Sequence, residues 1–395
     1  MAVASFGCGS DGGGDGTPAR DPSTLGEESC KPGEARCVDS RGAALCPVNT
    51  GFPGDNIALC SPASEQEGML LRYGPQSVNG APPTAEELAK YTIAPGAEVE
   101  DCVYVRTTNL QDMYVNAYHG RMRPLSHHLI VTMVPEERAA GLEMGKLVDC
   151  DQSEALGDTW LLGSQDPQID ISVEGGSAGE KSAKEGDPEY GAGQLIKANQ
   201  VLRINMHYIN TSAAPILKEA WVYLKAVPKE SVKKLVDMIT FFQGSIYVPP
   251  GATGVTTTRA GCAAPTDRYV NLVTGHFHEH GTRFTVWHEK LDGSSEMVYD
   301  TTDWDVPGNA FYTYRVKNPA LDSMDTVWHA KSGYLFVKQG EKLTFQCEYS
   351  NPSSTPVRFG ELGKDQMCNI FGLYYPTDGG PWSCACAGTI CLATQ

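Results

Sequence analysis

From about residue 91 the chain runs in short, apolar-rich stretches separated by turn residues. Val103-Tyr104-Val105, Leu129-Ile130-Val131-Thr132-Met133-Val134, Val201-Leu202-Arg203-Ile204-Asn205-Met206-His207-Tyr208 and Trp221-Val222-Tyr223-Leu224 are examples. Several alternate apolar with polar positions, the period of a half-buried strand. The stretch 163–193 is rich in Gly, Ser, Glu and Asp and reads as a long surface loop. A charged break at Pro228-Lys229-Glu230 precedes a second strand-rich set from Val236 to Tyr375. One helix is predicted near 83–90, with Thr84 as N-cap and Glu87 three residues on. No amphipathic helix of useful length follows residue 95. The pattern predicts an all-β protein with two antiparallel β-sandwich domains, 66–228 and 229–395.

The beginning of the chain has a different character. Residues 1–7 read as the remnant of a signal peptide, and 8–29 as a flexible Gly/Asp/Ser linker, so 1–29 form one unstructured unit. Cys8 at that boundary resembles the start of a bacterial lipoprotein, and a lipid there would be the chain's one link to a membrane. Residues 30–65 form a Cys-rich mini-domain too short to bury a core of its own. Two disulfides among Cys30, Cys37, Cys46 and Cys60 are expected to staple it, in a pairing the sequence leaves open. This segment is expected to be dispensable for metal binding.

Composition narrows the location and the partners. Thirteen cysteines, with no zinc-type CxxC…CxxC spacing, point to an oxidising compartment. The protein is expected to be secreted, periplasmic or at the cell surface. If Cys8 is lipidated, twelve cysteines remain for pairing. The formal charge of −17 argues against nucleic acid and anionic membrane surfaces as partners. No apolar stretch is long enough to span a bilayer as a helix.

The nine histidines carry the chemistry. His276-Phe277-His278 places two imidazoles on one face of a strand, because side chains two apart share a face. His280 lies on that same face and is a rival third ligand. His127 and His128 are adjacent, so both reach one metal only where the backbone bends. His207 stands alone on a strand. His119, His280, His288 and His329 read as structural or surface residues.

Taken in order, Ser126-His127-His128-Leu129, Met206-His207-Tyr208, His276-Phe277-His278 and Met367-Cys368-Asn369-Ile370-Phe371-Gly372-Leu373-Tyr374-Tyr375 resemble the type II, ascorbate-dependent copper monooxygenases. That family includes peptidylglycine α-hydroxylating monooxygenase and dopamine β-monooxygenase. The resemblance covers roughly 95–390 and suggests a bacterial member. It implies two jelly-roll domains facing across a cleft and two coppers per chain. His127, His128 and His207 would hold the electron-transfer copper. His276, His278 and Met367 would hold the copper that binds dioxygen and substrate, and are the implied catalytic set. A thioether favours Cu(I), and three neutral imidazoles serve both copper oxidation states. The resemblance also implies the disulfides Cys102–Cys150, Cys347–Cys368 and either Cys262–Cys384 or Cys262–Cys386, with Cys391 taking the leftover cysteine.

The implied activity is oxidoreductase chemistry: hydroxylation of a C–H bond with dioxygen and ascorbate or another small reductant, through two separate mononuclear copper sites. The substrate would be a small molecule or a peptide. The peptide enzymes grip a terminal carboxylate at positions that are Thr274, Asn369 and Phe371 here. Only the asparagine survives, and without an arginine there is no bidentate partner for a carboxylate. Asn205 likewise replaces a glutamine. Phe277, Phe371 and Tyr374 either line an apolar pocket or are core aromatics. Two other readings stand beside the enzyme: a copper-binding, copper-buffering surface protein without turnover, and a disulfide-rich adhesion module holding one structural metal. Substrate, reductant and oligomeric state are not legible.

Overall fold

A computed structural model describes residues 45–46, 48–52, 55, 57–76, 82–150, 158–165, 167–174, 183–305, 307–313, 328–332, 334–360, 365–377 and 380–394. Cys8, Cys30, Cys37 and the linker 8–29 lie outside the described residues.

The protein is all-β, and its four larger sheets form two stacked pairs, beside two short two-stranded ones. In the first pair one sheet runs Gly68–Tyr73, Ala220–Val227, Met113–Met122, Ala192–Ile196 and Lys234–Leu235, with Gln168–Ser172 also on Met113–Met122. The facing sheet runs Leu147–Asp149, Glu98–Arg106, Val201–Ile209, Ser126–Val134 and Thr159–Ser164. Their inward positions, among them Leu71, Val115 and Leu224 from one sheet and Val103, Leu129, Val131 and Leu202 from the other, make one continuous core. Alternation explains the division: in Ser126–Val134, Leu129 and Val131 point inward.

The second pair has an eight-stranded sheet in which Arg268–Phe277, Cys368–Tyr375 and Asp237–Gln243 are central. Facing it are Val255–Thr256, Ala260–Ala263, Lys342–Tyr349, Gly281–Glu289 and Ser295–Thr301. Ile239, Phe241, Val273 and Ile370 meet Phe284, Val286, Leu343 and Phe345 in a second core. Cys347–Cys368 and Cys262–Cys384 bridge these two sheets, so the second core is cross-linked as well as packed. Of the two partners expected for Cys262 the structure forms the bond to Cys384, and Cys386 pairs with Cys391. Cys102 is bonded to Cys150.

The two halves meet closely. Val236, Met238, Leu272, Phe311, Leu373 and Tyr375, all from the second half, belong to the first core. The passage between halves lies slightly later than the charged break suggests: Lys234–Leu235 still pairs, in parallel, with Ala192–Ile196. The stretch 163–193 is not one long loop, since Gln168–Ser172 is a strand paired with Met113–Met122. The helix Ala85–Lys90 forms as expected, and the Thr84 side chain accepts the Glu87 N–H. Among the described residues no helix is long and apolar enough to cross a membrane.

Of the N-terminal Cys-rich segment, Cys46–Cys60 is formed. Leu45, Val48, Ile57, Ala58 and Leu59 close over Trp221 on the outer face of the first sheet.

Candidate metal centre

His127 and His128 reach one pocket through a bulge. The strand Ser126–Val134 pairs with Val201–Ile209, and His207 is opposite His128 while the next residue, Tyr208, is opposite Ser126. His127 is therefore the extra residue, opposite nothing, and the local bend turns its side chain to join its neighbour's. Their ring centroids are 5.5 Å apart, and each lies 5.1 Å from His207. The approach to the bulge is strained, because Leu125 adopts a φ of +69°, a conformation that costs a non-glycine residue on the order of 1–3 kcal/mol.

His276 and His278 need no such device. They leave the end of the strand Arg268–Phe277 two residues apart, with ring centroids 5.2 Å from each other. Phe277 between them points the other way, fully buried against Phe284. On the neighbouring strand His276 is opposite Asn369 and Phe277 opposite Cys368. One step further come His278 on one strand and Met367 on the other. Met367 is buried, and the Asn369 Nδ2 donates to its Sδ at 3.5 Å.

The two sets meet. His127 lies 5.7 Å from His276 and 5.4 Å from His278, and His128 lies 5.7 Å from His276, between ring centroids. Five imidazoles from two sheet pairs thus share one pocket, with rings of the two sets as close as 5.4 Å between centroids. Donor nitrogens of His127, His128 and His276 all lie within 4.8 Å of one another, a trio drawn from both expected sets.

The hydrogen bonds decide which nitrogens are available. His128 Nε2 lies 2.9 Å from Asn205 Oδ1, His207 Nε2 lies 2.8 Å from Glu98 Oε1, and His278 Nδ1 lies 3.1 Å from the Asp365 carbonyl. Each acceptor fixes the tautomer by taking the ring N–H, which leaves the opposite nitrogen with a lone pair. Those opposite nitrogens, His128 Nδ1, His207 Nδ1 and His278 Nε2, are buried without a partner, as is His127 Nε2. An unsatisfied buried polar atom costs about 1–3 kcal/mol, so four in one pocket are a heavy burden unless something ligates them. The donor set fits copper: neutral nitrogens with a thioether alongside.

Electrostatics agree. Burial, then the neighbouring imidazoles, holds His127 and His276 well below the ordinary histidine range. Burial lowers His278 to about 4 although the Asp365 carbonyl pulls the other way. These rings are neutral at physiological pH, the form in which imidazole ligates. For Glu100, burial works to raise the carboxyl, but His128, with its Nε2 3.6 Å away, and the hydrogen bond donated by Asn205 Nδ2 outweigh it and hold it at about 2.

The remaining expected residues divide. His280 pairs with Glu279 and, among the described residues, joins none of the ring contacts of the pocket. His119 bonds Asp170, and His288 bonds Glu341. The side chain of His329 lies outside the described residues. Thr274 donates its hydroxyl to the Gly308 carbonyl. Asn369 keeps a buried, unpartnered Oδ1. Phe371 is at the site, stacked on Trp160 at 4.7 Å and 6.2 Å from His276, whereas Phe277 and Tyr374 are core aromatics. Sequence reading missed Glu98, Asp365 and Trp160. Glu98 and Glu100 alternate on a strand, a visible signal of a shared face; nothing local marks the Asp365 carbonyl or Trp160.

No family model matches the chain, and no curated protein matches it. Among solved structures it is similar to the major capsid protein P2 of bacteriophage PM2, with 10% identity, a TM-score of 0.28, 79% of this chain covered and 100% of that one. It is also similar to a structure of the infectious bursal disease virus Gx strain, with 9% identity, a TM-score of 0.16, and 81% and 74% covered. Likenesses this distant carry no argument about the pocket.

Proposed function

We propose that this protein is a copper-dependent monooxygenase of the type II, ascorbate-dependent kind, hydroxylating a substrate C–H bond. The observation that carries the reading is the set of buried imidazole nitrogens left without partners, each on a ring whose other nitrogen is held in place or whose charge is suppressed. Copper on His127, His128 and His207 would relay electrons, and copper on His276, His278 and Met367 would activate dioxygen. The reaction consumes one dioxygen, two electrons and two protons per C–H bond, releasing the alcohol and water.

The chain's own residues supply the rest. Asn205, Glu98 and the Asp365 carbonyl hold ring orientations, so little reorganisation is needed when a ligand or charge changes. Asn369 presents one acceptor, its Oδ1, beside the thioether. Phe371, backed by the stacked Trp160, presents apolar surface to His276 and works against water there. With Thr274 committed to the Gly308 carbonyl, nothing at these positions offers a carboxylate a cationic partner, so a peptide with a free C-terminal carboxylate is disfavoured as substrate. The cysteines favour a secreted, periplasmic or surface location.

A second reading is favoured by one observation. The His127, His128 and His276 nitrogens converge tightly enough to hold a single ion, as in a structural or buffering metal protein. Metal stoichiometry with oxygen uptake separates the two. Two coppers per chain and reductant-dependent oxygen consumption are expected; one tightly held zinc and no oxygen uptake would sink the monooxygenase.

A further inference from the structure

We propose that the Cys46–Cys60 segment is a positioning element for the metal pocket, acting through Asp55 on Arg123 and thereby on the His127 bulge. The inference rests on the pocket being a metal site, and it reverses the expectation that the segment is dispensable for metal binding.

Asp55 is built into its loop as an acceptor. It receives the Thr50 N–H at 2.9 Å, the Thr50 hydroxyl at 2.5 Å and the Gly51 N–H at 3.2 Å. Its remaining contact reaches into the first sheet pair: Arg123 Nη2 lies 2.7 Å from Asp55 Oδ1 and 3.3 Å from the Thr50 hydroxyl. The Arg123 side chain is 2% exposed and also binds the fully buried Glu219 at 2.6–2.7 Å, which in turn binds Arg72. Arg123 and Glu219 are thus paired in a buried place, with Arg72 and Asp55 at the partly exposed ends of the network. Removing the Asp55 charge takes one anionic partner from a buried cation that keeps Glu219, and breaking a buried ion pair from one side is costly.

Arg123 is joined to the pocket through the backbone. Its carbonyl accepts from Ser126, closing the turn that contains the left-handed Leu125. Its own N–H donates to the Glu219 carbonyl, and the Leu125 carbonyl accepts from Ile209. The next residue after Ser126 is the bulged His127. A strained turn persists only where its surroundings over-determine it, and Asp55 is the charged group that the disulfide-clamped segment is seen to add to them, beside the Thr50 hydroxyl. Leu59 and Ile57 cover Trp221, whose ring also lies 6.0 Å from the Arg123 guanidinium, an apolar contact that fixes where the segment sits.

The test uses the full chain and separates positioning from mere stability. In Asp55→Asn, Cu(II) affinity at the three-histidine set is expected to fall about tenfold, the lower end for changes outside the ligands. Its EPR hyperfine pattern should shift while copper on His276, His278 and Met367 is retained. In the metal-free protein the His127 imidazole NMR resonances should move. Asp55→Glu, which keeps the carboxylate, should displace both signals less. Leu59→Ala loosens the apolar packing of the segment while leaving the Asp55, Thr50 and Glu219 contacts of Arg123 in place, and is expected to lower Tm while leaving EPR and His127 resonances in place. Wild-type spectra in Asp55→Asn, or an equal displacement in Leu59→Ala, would overturn the proposal. If the wild-type chain takes up no copper, the copper reading fails and the metal-free NMR comparison decides the role of Asp55 alone.

Discussion

Two strands each bring two histidines to the same pocket, by opposite means. In Arg268–Phe277 and its extension, His276 and His278 share a face because the strand is regular from Leu272 onward, past a shift at Val270/Leu272, and one residue separates them. In Ser126–Val134, His127 and His128 share a pocket because the strand is irregular at that point. The regular strand costs nothing locally, and it is backed by Phe277 in a closed apolar core. The bulged one carries a left-handed leucine at its entry and depends on buried polar groups, Arg123 and Glu219 among them, to hold it. A pair made by periodicity is robust and legible; a pair made by a bulge is neither.

The sharpest way to break this comparison is to change the residue count in each strand. Deleting His127 removes the bulge and one ligand together. Copper binding to the three-histidine set should weaken by more than the roughly 10–100-fold that outer-shell changes cost, measured by competition titration, with the second copper retained. Deleting Phe277 makes His276 and His278 adjacent and sends them to opposite faces, so the other copper should be lost instead. If either deletion leaves both coppers bound with wild-type affinity, the register argument is wrong. Next in size, Met367→Ala should abolish hydroxylation while the three-histidine copper still gives its EPR signal. His280→Ala should change neither.

A smaller effect tests how the rings are oriented. On the bulged side the acceptors are side chains: Asn205 for His128 and Glu98 for His207. On the regular side the acceptor is the Asp365 backbone carbonyl, which no side-chain substitution removes. Asn205→Ala should therefore cost about tenfold in copper affinity, and Asp365→Ala close to nothing at the metal. Equal losses from both would mean that the carbonyl is not what orients His278.

Legibility followed regularity. The all-β fold, the Thr84-capped helix and the shared face of His276 and His278 all rest on local periodicity or capping chemistry, which a sequence displays. The Gln168–Ser172 strand was hidden by the Gly- and Ser-rich company it keeps, although Ile169 and Ile171 alternate with polar neighbours as a strand should. Its buried Asp170 is explained by His119 and Arg121, residues far away in the chain. The bend at His127 could be named as a requirement but not located, because a bulge is defined by pairing with Val201–Ile209. That the two histidine sets lie side by side is a property of how the halves pack, and no local pattern encodes it.

The smallest expected effect concerns the backing of the regular pair. Gly281 begins the strand that returns behind His278, and a Cβ there would stand 2.1 Å from the Phe277 ring and 3.0 Å from the His278 carbonyl. Phe277 cannot withdraw, since it is fully buried against Phe284. Gly281→Ala should therefore act as overpacking, destabilising the protein by roughly 1–3 kcal/mol, read as a lower Tm or denaturation midpoint. Both coppers should remain, because the strand period that places His276 and His278 together does not depend on how tightly Phe277 is packed. Loss of a copper in this variant would show that the regular pair, like the bulged one, is held in place by its surroundings, and the contrast between the two strands would narrow to a difference of degree.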